Sequence, residues 1–253
     1  MDRPGAGDAS FVKAFYEALY RGEIKPSVPV PLGFSYLVSL GYREEILSTL
    51  WSFPWELAHP CGCPVNHVKL KPSAKVLNLG GGIGLDAFYL LATVSGQFSV
   101  FVVNLDVAFP ALSASRQWAG IFFEEHAPVR SEVSWISGDA LCLPFRDQTF
   151  EVVILNGVFN ICREKAKLFC EISRVLVPDG TLVIADLFVY KQLPEEIAAD
   201  PNGLVWCVSG AVTFEDLLEL AKISALSPPL FHEKHPIDNQ FYRAVCSFRK
   251  TCS

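Results

Sequence analysis

The chain has 253 residues, of which 51% are hydrophobic and 19% are charged, and it carries a formal net charge of -6. This composition is typical of one packed globular domain with extensions, and it excludes an intrinsically disordered chain. The acidic balance, without a run of Lys or Arg, argues against binding to a nucleic-acid backbone.

The sequence gives no support for a membrane or secretory role. Its longest apolar stretches, such as residues 98–103 and 175–177, fall far short of the ~20 residues that a spanning helix needs. The N-terminus lacks a basic region that leads into an unbroken apolar segment. We therefore expect a cytoplasmic protein whose eight cysteines stay reduced.

The first seventy or so residues predict an arm outside the sheet. Apolar residues at helical spacing predict a helix over residues 8–20. A proline-rich stretch over residues 25–31 predicts an extended connector, and residues 42–51 resume a helical pattern. We divide the chain into an N-terminal helical arm or lid, residues 1–71, and one larger domain, residues 72–253.

After residue 72, short β-rich runs alternate with longer helical segments, which predicts a doubly wound, mostly parallel α/β sheet. The predicted strands are residues 75–79, 99–105, 132–137, 149–155, 181–187 and 240–249. The predicted helices are residues 85–94, 111–126, 165–176 and 213–224.

The first strand of this domain runs directly into a glycine-rich loop at residues 80–84. In such sheets ligands bind at the carboxyl ends of the strands, and glycine lets backbone amides approach them closely. A dinucleotide fingerprint needs a sixth-position glycine, where this chain has Leu85. Asp106, which ends the next strand, supplies a carboxylate for ribose hydroxyls. The pattern therefore predicts a nucleoside ligand and disfavours nicotinamide and flavin dinucleotides.

Two later segments, residues 138–151 and 174–182, complete a series of motifs within residues 76–186. Together with the glycine loop they resemble the successive motifs of class I S-adenosylmethionine-dependent methyltransferases. The resemblance implies a Rossmann-like sheet of seven strands, S-adenosylmethionine as the cofactor and a small-molecule substrate. It also implies a set of cofactor contacts: Gly80, Gly82 and Gly84 beside the methionine part, Asp106 on the ribose, Asp139 and Ala140 at the adenine edge, and Asn156 facing the reacting centre.

One position departs from that family pattern. An acidic residue usually stands two positions before the first glycine, and this chain has Asn78 there. A neutral amide still forms hydrogen bonds but attracts the ammonium group of the cofactor less strongly. Asn78 is retained as a cofactor-binding residue, with either a reduced affinity or an adapted pocket as the consequence.

Within that superfamily the chain resembles arsenite methyltransferases in residues 61–64, 155–160, 185–187 with 193–197, and 206–211. In those enzymes three cysteines bind trivalent arsenic, a soft ion that prefers thiolate sulfur. By motif position the resemblance assigns Cys63 and Cys207 to two of them, as catalytic residues. The third position is Gly157 in this chain, so one thiolate is missing.

Two alternatives stay open beside a soft or thiol-bound acceptor such as arsenic. One is a pocket adapted to another small oxygen, nitrogen or sulfur acceptor. A hydroxyl or amine would then need a base, and the candidates are His59, His67, His232 and His235. The other is a non-catalytic methyltransferase-like binding protein, a hypothesis motivated by Asn78 and Gly157. We expect no structural zinc site, because Cys61 and Cys63 lack a second ligand pair.

Overall fold

The computed structural model describes residues 9–25, 32–126 and 131–251. Its strands are β1 Lys75–Leu79, β2 Phe101–Asp106, β3 Glu132–Ser137, β4 Phe150–Asn156, β5 Leu176–Val189, β6 Leu230–Pro236 and β7 Phe241–Arg249. They form one sheet in the order β3-β2-β1-β4-β5-β7-β6. The first five strands are parallel, while β7 runs antiparallel to both β5 and β6. The predicted doubly wound, mostly parallel sheet of seven strands is confirmed.

The described helices are α1 Ala9–Tyr20, α2 Phe34–Ser39, α3 Glu44–Leu47, α4 Leu85–Val94, α5 Phe109–Glu125, α6 Lys165–Val175, α7 Glu195–Ala198, α8 Pro201–Val205 and α9 Phe214–Ile223. The helix predicted over residues 42–51 is α3 followed by a 3-10 turn at Ser48–Leu50. Residues 26–31, most of the predicted connector, lie outside the described residues, as does residue 8. Among the helices that the structure describes, none has the length and apolar character needed to cross a membrane.

Both faces of the sheet are covered, which explains why its central strands are continuous apolar runs. Side chains alternate between the two faces along a strand. Val76 of β1 packs with α4, α5 and the arm, whereas the adjacent Leu77 packs with α6 and α9. The glycine loop that follows β1 is thus anchored in two cores.

The N-terminal arm shares the first of these cores. The ring of Phe53 lies 4.9 Å from that of Trp118 in α5 and 6.3 Å from that of Phe88 in α4, measured between centroids. Burial of a side chain of this size stabilises a fold by roughly 1.5–3 kcal/mol. The division of the chain near residue 71 stays a prediction, and this packing joins its two sides.

The edge strand β6 has no counterpart among the predicted strands. Its sequence includes His232, Glu233, Lys234 and His235, and it contains no β-branched residue. It pairs only with β7 in the described sheet, and most of its side chains are exposed or half-buried. Charged side chains on an edge strand prevent further strand pairing, so this strand carries no apolar alternation that could predict it.

Candidate functional site

A cleft opens at the carboxyl ends of β1, β2 and β4, with about 1340 Å³ of empty space when its solvent-filled mouth is included. Most of the predicted site residues line it: Asn78, Gly80, Gly82, Asp106, Asp139, Ala140 and Asn156. Gly84, Cys63 and Cys207 are not among the described residues that line it. A concave site with a few convergent polar groups is the usual form of a small-molecule pocket.

Gly82 is a position in the glycine loop where an added side chain would collide with a residue that lines the cleft. Its φ is 51°, in the left-handed region, and an added Cβ would lie 2.7 Å from the Tyr20 hydroxyl of α1. An added Cβ on Gly84 would instead meet Ser115 of α5 and Phe88 of α4. This glycine lets α4 pack closely against α5, and its expected contact with the methionine part stays a prediction.

Backbone amides hold Asp106 in one orientation at the end of β2. Its Oδ2 accepts a hydrogen bond from the Gly82 N–H at 2.8 Å, and its Oδ1 accepts one from the Ala108 N–H at 2.8 Å. Burial raises the pKa of this carboxyl, and the amide donors oppose the rise. Each oxygen keeps a further lone pair, so the carboxylate can accept hydrogen bonds from a ligand in the cleft.

The turn after β3 forms a second polar part of the cleft. The Oδ1 of Asp139 accepts a hydrogen bond from the Leu141 N–H at 2.9 Å, which caps the turn. Ala140 and Leu141 line the cleft beside it. Asp139 and Ala140 thus border the same space as Asp106, and their contact with an adenine edge stays a prediction.

Asn78 is hydrogen-bonded to a second buried amide, that of Asn104. Its Nδ2 donates a hydrogen bond to the Asn104 Oδ1 at 2.8 Å, and the Nδ2 of Asn104 donates one to the Gly82 carbonyl at 3.1 Å. Both amides are buried, at 2% and 0% exposure. This pair supports the glycine loop from below. The signal in the sequence is a polar residue, Asn104, inside an otherwise apolar strand.

Asn156 connects the cleft to the segment that carries Cys61. Its Oδ1 accepts a hydrogen bond from the Cys61 N–H at 2.7 Å, and its Nδ2 donates to the Gly62 carbonyl at 2.8 Å. The same Nδ2 lies 2.9 Å from the Asp86 Oδ2 and 3.1 Å from the Tyr42 hydroxyl. A single amide side chain therefore fixes the backbone on both sides of residue 61.

The structure brings Cys61, and not Cys63, to Cys207. The Sγ atoms of Cys61 and Cys207 and a carboxylate oxygen of Asp186 all lie within 4.8 Å of one another. Cys63 is fully buried against the segment around Gly41 and takes no part in this cluster. The assignment of Cys63 as a catalytic residue stays a prediction, and the geometry favours its neighbour, because the backbone contacts of Asn156 hold Cys61 toward Cys207.

The second thiol of the cluster, that of Cys207, is in its neutral, protonated form. A hydrogen bond with Cys61 and burial raise the pKa of the Cys207 thiol, whose Sγ donates to the Gly157 carbonyl at 3.2 Å. Burial raises the pKa of Asp186 to about 6, and this carboxyl accepts hydrogen bonds from the N–H groups of Leu187 and Asn160. The two sulfur atoms are donors that a soft ion prefers, whereas the carboxylate is a harder donor.

Gly157 lies directly beside both thiols. An added Cβ at this position would be 3.5 Å from the Cys61 Sγ and 3.9 Å from the Cys207 Sγ. It would also be 3.4 Å from the His59 carbonyl oxygen. A thiol-bearing side chain at position 157 would thus complete a set of three thiols with Cys61 and Cys207.

His59 borders the cleft with its hydrogen-bonding capacity unused. Both of its ring nitrogens are buried, and neither has a hydrogen-bond partner among the described residues. Burial lowers the pKa of His59, so the ring is neutral at pH 7. The other candidate bases, His67, His232 and His235, lie with Glu233 at the β6 edge and do not border the described cleft.

The first helix covers part of the cleft, a role that its sequence pattern does not predict. Val12, Tyr16 and Tyr20 of α1 line the cleft, and the Tyr16 hydroxyl donates a hydrogen bond to the Val205 carbonyl at 2.8 Å. Phe15 packs edge-on against Trp206, next to Cys207, with ring centroids 5.5 Å apart. The helix is therefore attached to the segment that carries the second thiol.

Comparison with known proteins agrees with this architecture. Residues 77–184 match the family model described as a methyltransferase domain. An arsenite methyltransferase of Halobacterium salinarum is 32% identical over 178 residues, which cover 70% of this chain and 43% of that protein. A ubiquinone/menaquinone biosynthesis C-methyltransferase of Ruegeria is 32% identical over 127 residues, or 50% of this chain and 46% of that protein.

The crystal structure of an arsenic(III) S-adenosylmethionine methyltransferase from Chlamydomonas reinhardtii also superposes on the chain, with a TM-score of 0.63 and 25% identity. The match covers 82% of this chain and 73% of that one. The chain spans less than half the length of the two curated relatives. The resemblance to class I methyltransferases, and to arsenite methyltransferases among them, is confirmed.

Proposed function

We propose that this chain, whose residues 77–184 form a class I methyltransferase domain, transfers a methyl group from S-adenosylmethionine to a small, soft acceptor held by Cys61 and Cys207. Trivalent arsenic is the acceptor that best fits these donors. The observation that carries the proposal is the convergence of two thiols beside Gly157, at the end of the strand that borders the cleft. This assignment replaces Cys63 with Cys61.

The residues of the cleft fit the proposed cofactor. The glycine loop leaves a cradle that a Cβ on Gly82 would fill, and Asp106 has acceptor capacity for ribose hydroxyls. Asp139 and Ala140 border the space for the adenine, and Tyr20 covers the loop from α1. S-adenosylmethionine supplies an electrophilic methyl group on a sulfonium. The protein then has to align the acceptor with that methyl group and exclude water.

The thiols can bind arsenite without first ionising. Each neutral thiol replaces one hydroxyl of arsenous acid, so that a sulfur–arsenic bond forms and the thiol proton leaves with the hydroxide as water. The raised pKa of Cys207 is compatible with this exchange, because its proton is lost in the same step. With Gly157 in the third position, solvent or a small thiol completes the arsenic ligands.

A second acceptor class is favoured by one observation, the unpaired ring nitrogens of His59. A neutral imidazole beside the cleft can take a proton from a small hydroxyl or amine as it attacks the methyl group. His59→Gln would then abolish transfer to such an acceptor. The same substitution would leave transfer to a thiol-bound arsenic nearly unchanged, because an arsenic lone pair carries no proton.

The experiment is transfer of a labelled methyl group from S-adenosylmethionine to arsenite in the presence of a reducing thiol. Alanine variants of Cys61 and Cys207 should lose at least about 100-fold in rate and should bind arsenite more weakly. Cys63→Ala is the matched control, since it removes a buried thiol two residues away, and it should retain the rate within about threefold. Transfer at the wild-type rate by either of the first two variants, while folded, would reject the thiol-held acceptor. A wild-type protein that binds the cofactor but transfers nothing to arsenite would reject arsenic as the acceptor and leave two alternatives, another small acceptor or a non-catalytic binding protein.

A further inference from the structure

Asp86 is a buried carboxylate that borders the cleft. It is the second residue of α4, directly after the glycine loop, and its exposure is 6%. Its Oδ1 accepts a hydrogen bond from the Tyr42 hydroxyl at 2.7 Å, and its Oδ2 accepts one from the Asn156 Nδ2 at 2.9 Å. No ion pair of Asp86 occurs among the described residues. A buried carboxylate with neutral donors alone is costly when ionised.

The other acidic groups around the cleft are already accounted for. Asp106 is held by two backbone amides, and Asp139 caps its own turn. Glu164 is exposed at the start of α6. Asn78 is neutral, and its amide nitrogen is used by Asn104. Among the described residues that line the cleft, Asp86 is therefore the buried carboxylate that is held by neutral side-chain donors and by no backbone amide.

We propose that Asp86 binds the α-ammonium group of S-adenosylmethionine and so supplies the negative charge that Asn78 does not. The assignment rests on the proposed cofactor. An ammonium group offers three N–H donors, and each Asp86 oxygen keeps one lone pair after its bonds to Tyr42 and Asn156. A bound cation also offsets the cost of the buried charge.

This placement couples the cofactor to the acceptor site. The Nδ2 of Asn156 contacts Asp86, while its other contacts hold the backbone on both sides of Cys61. An ammonium group on Asp86 therefore acts on the same side chain that positions the first thiol.

Calorimetric titration with three probes separates the contribution of the ammonium charge from that of the sulfonium charge. S-adenosylmethionine has an ammonium and a sulfonium, S-adenosylhomocysteine has only the ammonium, and methylthioadenosine has neither. Asp86→Asn should bind the first two about 10–100-fold more weakly, because a charge-assisted hydrogen bond becomes a neutral one. Its affinity for methylthioadenosine should stay within about threefold. Glu164→Gln, which removes an exposed carboxylate from the same cleft, should match the wild type with all three probes.

A second measurement needs no variant. Burial raises the pKa of Asp86 to about 6. The titratable groups that face it, Tyr42 and Cys63, have raised pKa values and stay neutral at this pH. The ratio of S-adenosylhomocysteine affinity to methylthioadenosine affinity in the wild type should therefore fall as the pH drops below about 6. A flat ratio between pH 7 and pH 5 contradicts the assignment.

The outcomes separate this assignment from the proposed function. A wild-type protein that binds none of the three probes overturns both. Wild-type binding with an unaffected Asp86→Asn overturns only the role of Asp86. Equal losses for all three probes make Asp86 a structural residue. A loss confined to S-adenosylmethionine moves the charge contact to the sulfonium. Each of the last two results also refutes the ammonium assignment.

Discussion

Gly157→Cys should restore a three-thiol site, and its effect on stability can be worked out from the backbone. Gly157 has φ 68°, in the region that side chains disfavour. Left-handed backbone costs a non-glycine residue roughly 1–2 kcal/mol. For a chain of this size that loss lowers the unfolding midpoint by about 2–8 °C. The space itself is adequate, since the contacts of an added Cβ begin at 3.4 Å.

The expected gain of Gly157→Cys is tighter binding of arsenite. A sulfur at position 157 would extend from a Cβ that lies 3.5 Å and 3.9 Å from the two existing thiols. Three soft donors then surround one ion. Because the third thiol acts at an effective concentration of at least millimolar, we expect arsenite affinity to rise by about 10–100-fold over the two-thiol site.

The matched control is Gly157→Ala, which carries the same backbone strain without the thiol. Both variants should show the same loss in thermal unfolding, and only the cysteine variant should bind arsenite more tightly in titrations under reducing conditions. Equal arsenite affinity in the two variants would refute the placement of Gly157 between Cys61 and Cys207. An equal midpoint in Gly157→Ala and the wild type would refute the strain argument.

Four further predictions concern stability and the covering helix. Burial raises the pKa of Asp86 to about 6, so its contribution to folding is complete below the unfolded pKa near 4 and is lost as the pH rises through 6. In urea unfolding, the free energy of unfolding of Asp86→Asn relative to that of the wild type should thus increase from pH 4 to pH 7. A constant difference would contradict the raised pKa. Gly210→Ala should destabilise the protein by at least about 2 kcal/mol, because its Cβ would collide with the Asn160 carbonyl. Gly120→Ala, with open space inside α5, should stabilise it by about 0.5–1 kcal/mol in the same assay. Tyr16→Phe removes the bond to the Val205 carbonyl and should speed amide hydrogen exchange in α1 without moving the β1 amides, whereas unchanged exchange in α1 would show that the helix is held by packing alone.

Local patterns are sufficient to predict the sheet and the cofactor side of the cleft. Strands buried on both faces are mostly apolar, so β1, β2, β4 and β5 are visible in the sequence as runs between helices. The loop at residues 80–84 and Asp106 follow their strands directly. Their position is fixed by chain connectivity, since parallel strands deliver their carboxyl ends to one edge. The polar edge strand β6 lacks such a run and is visible only in the structure.

The acceptor side depends on contacts between distant parts of the chain. Cys61 and Cys63 are indistinguishable by spacing, and the choice between them is made by Asn156, which is 95 residues away from Cys61 in sequence. In the same way, hydrogen bonds from the distant residues Tyr42 and Asn156 hold the Asp86 carboxylate in place. The sequence thus determines the sheet and the nucleoside cradle, because these arise within single β-α units. Only the tertiary structure decides which thiol lies beside Cys207 and which carboxylate is buried at the cleft, because hydrogen bonds across the fold orient them.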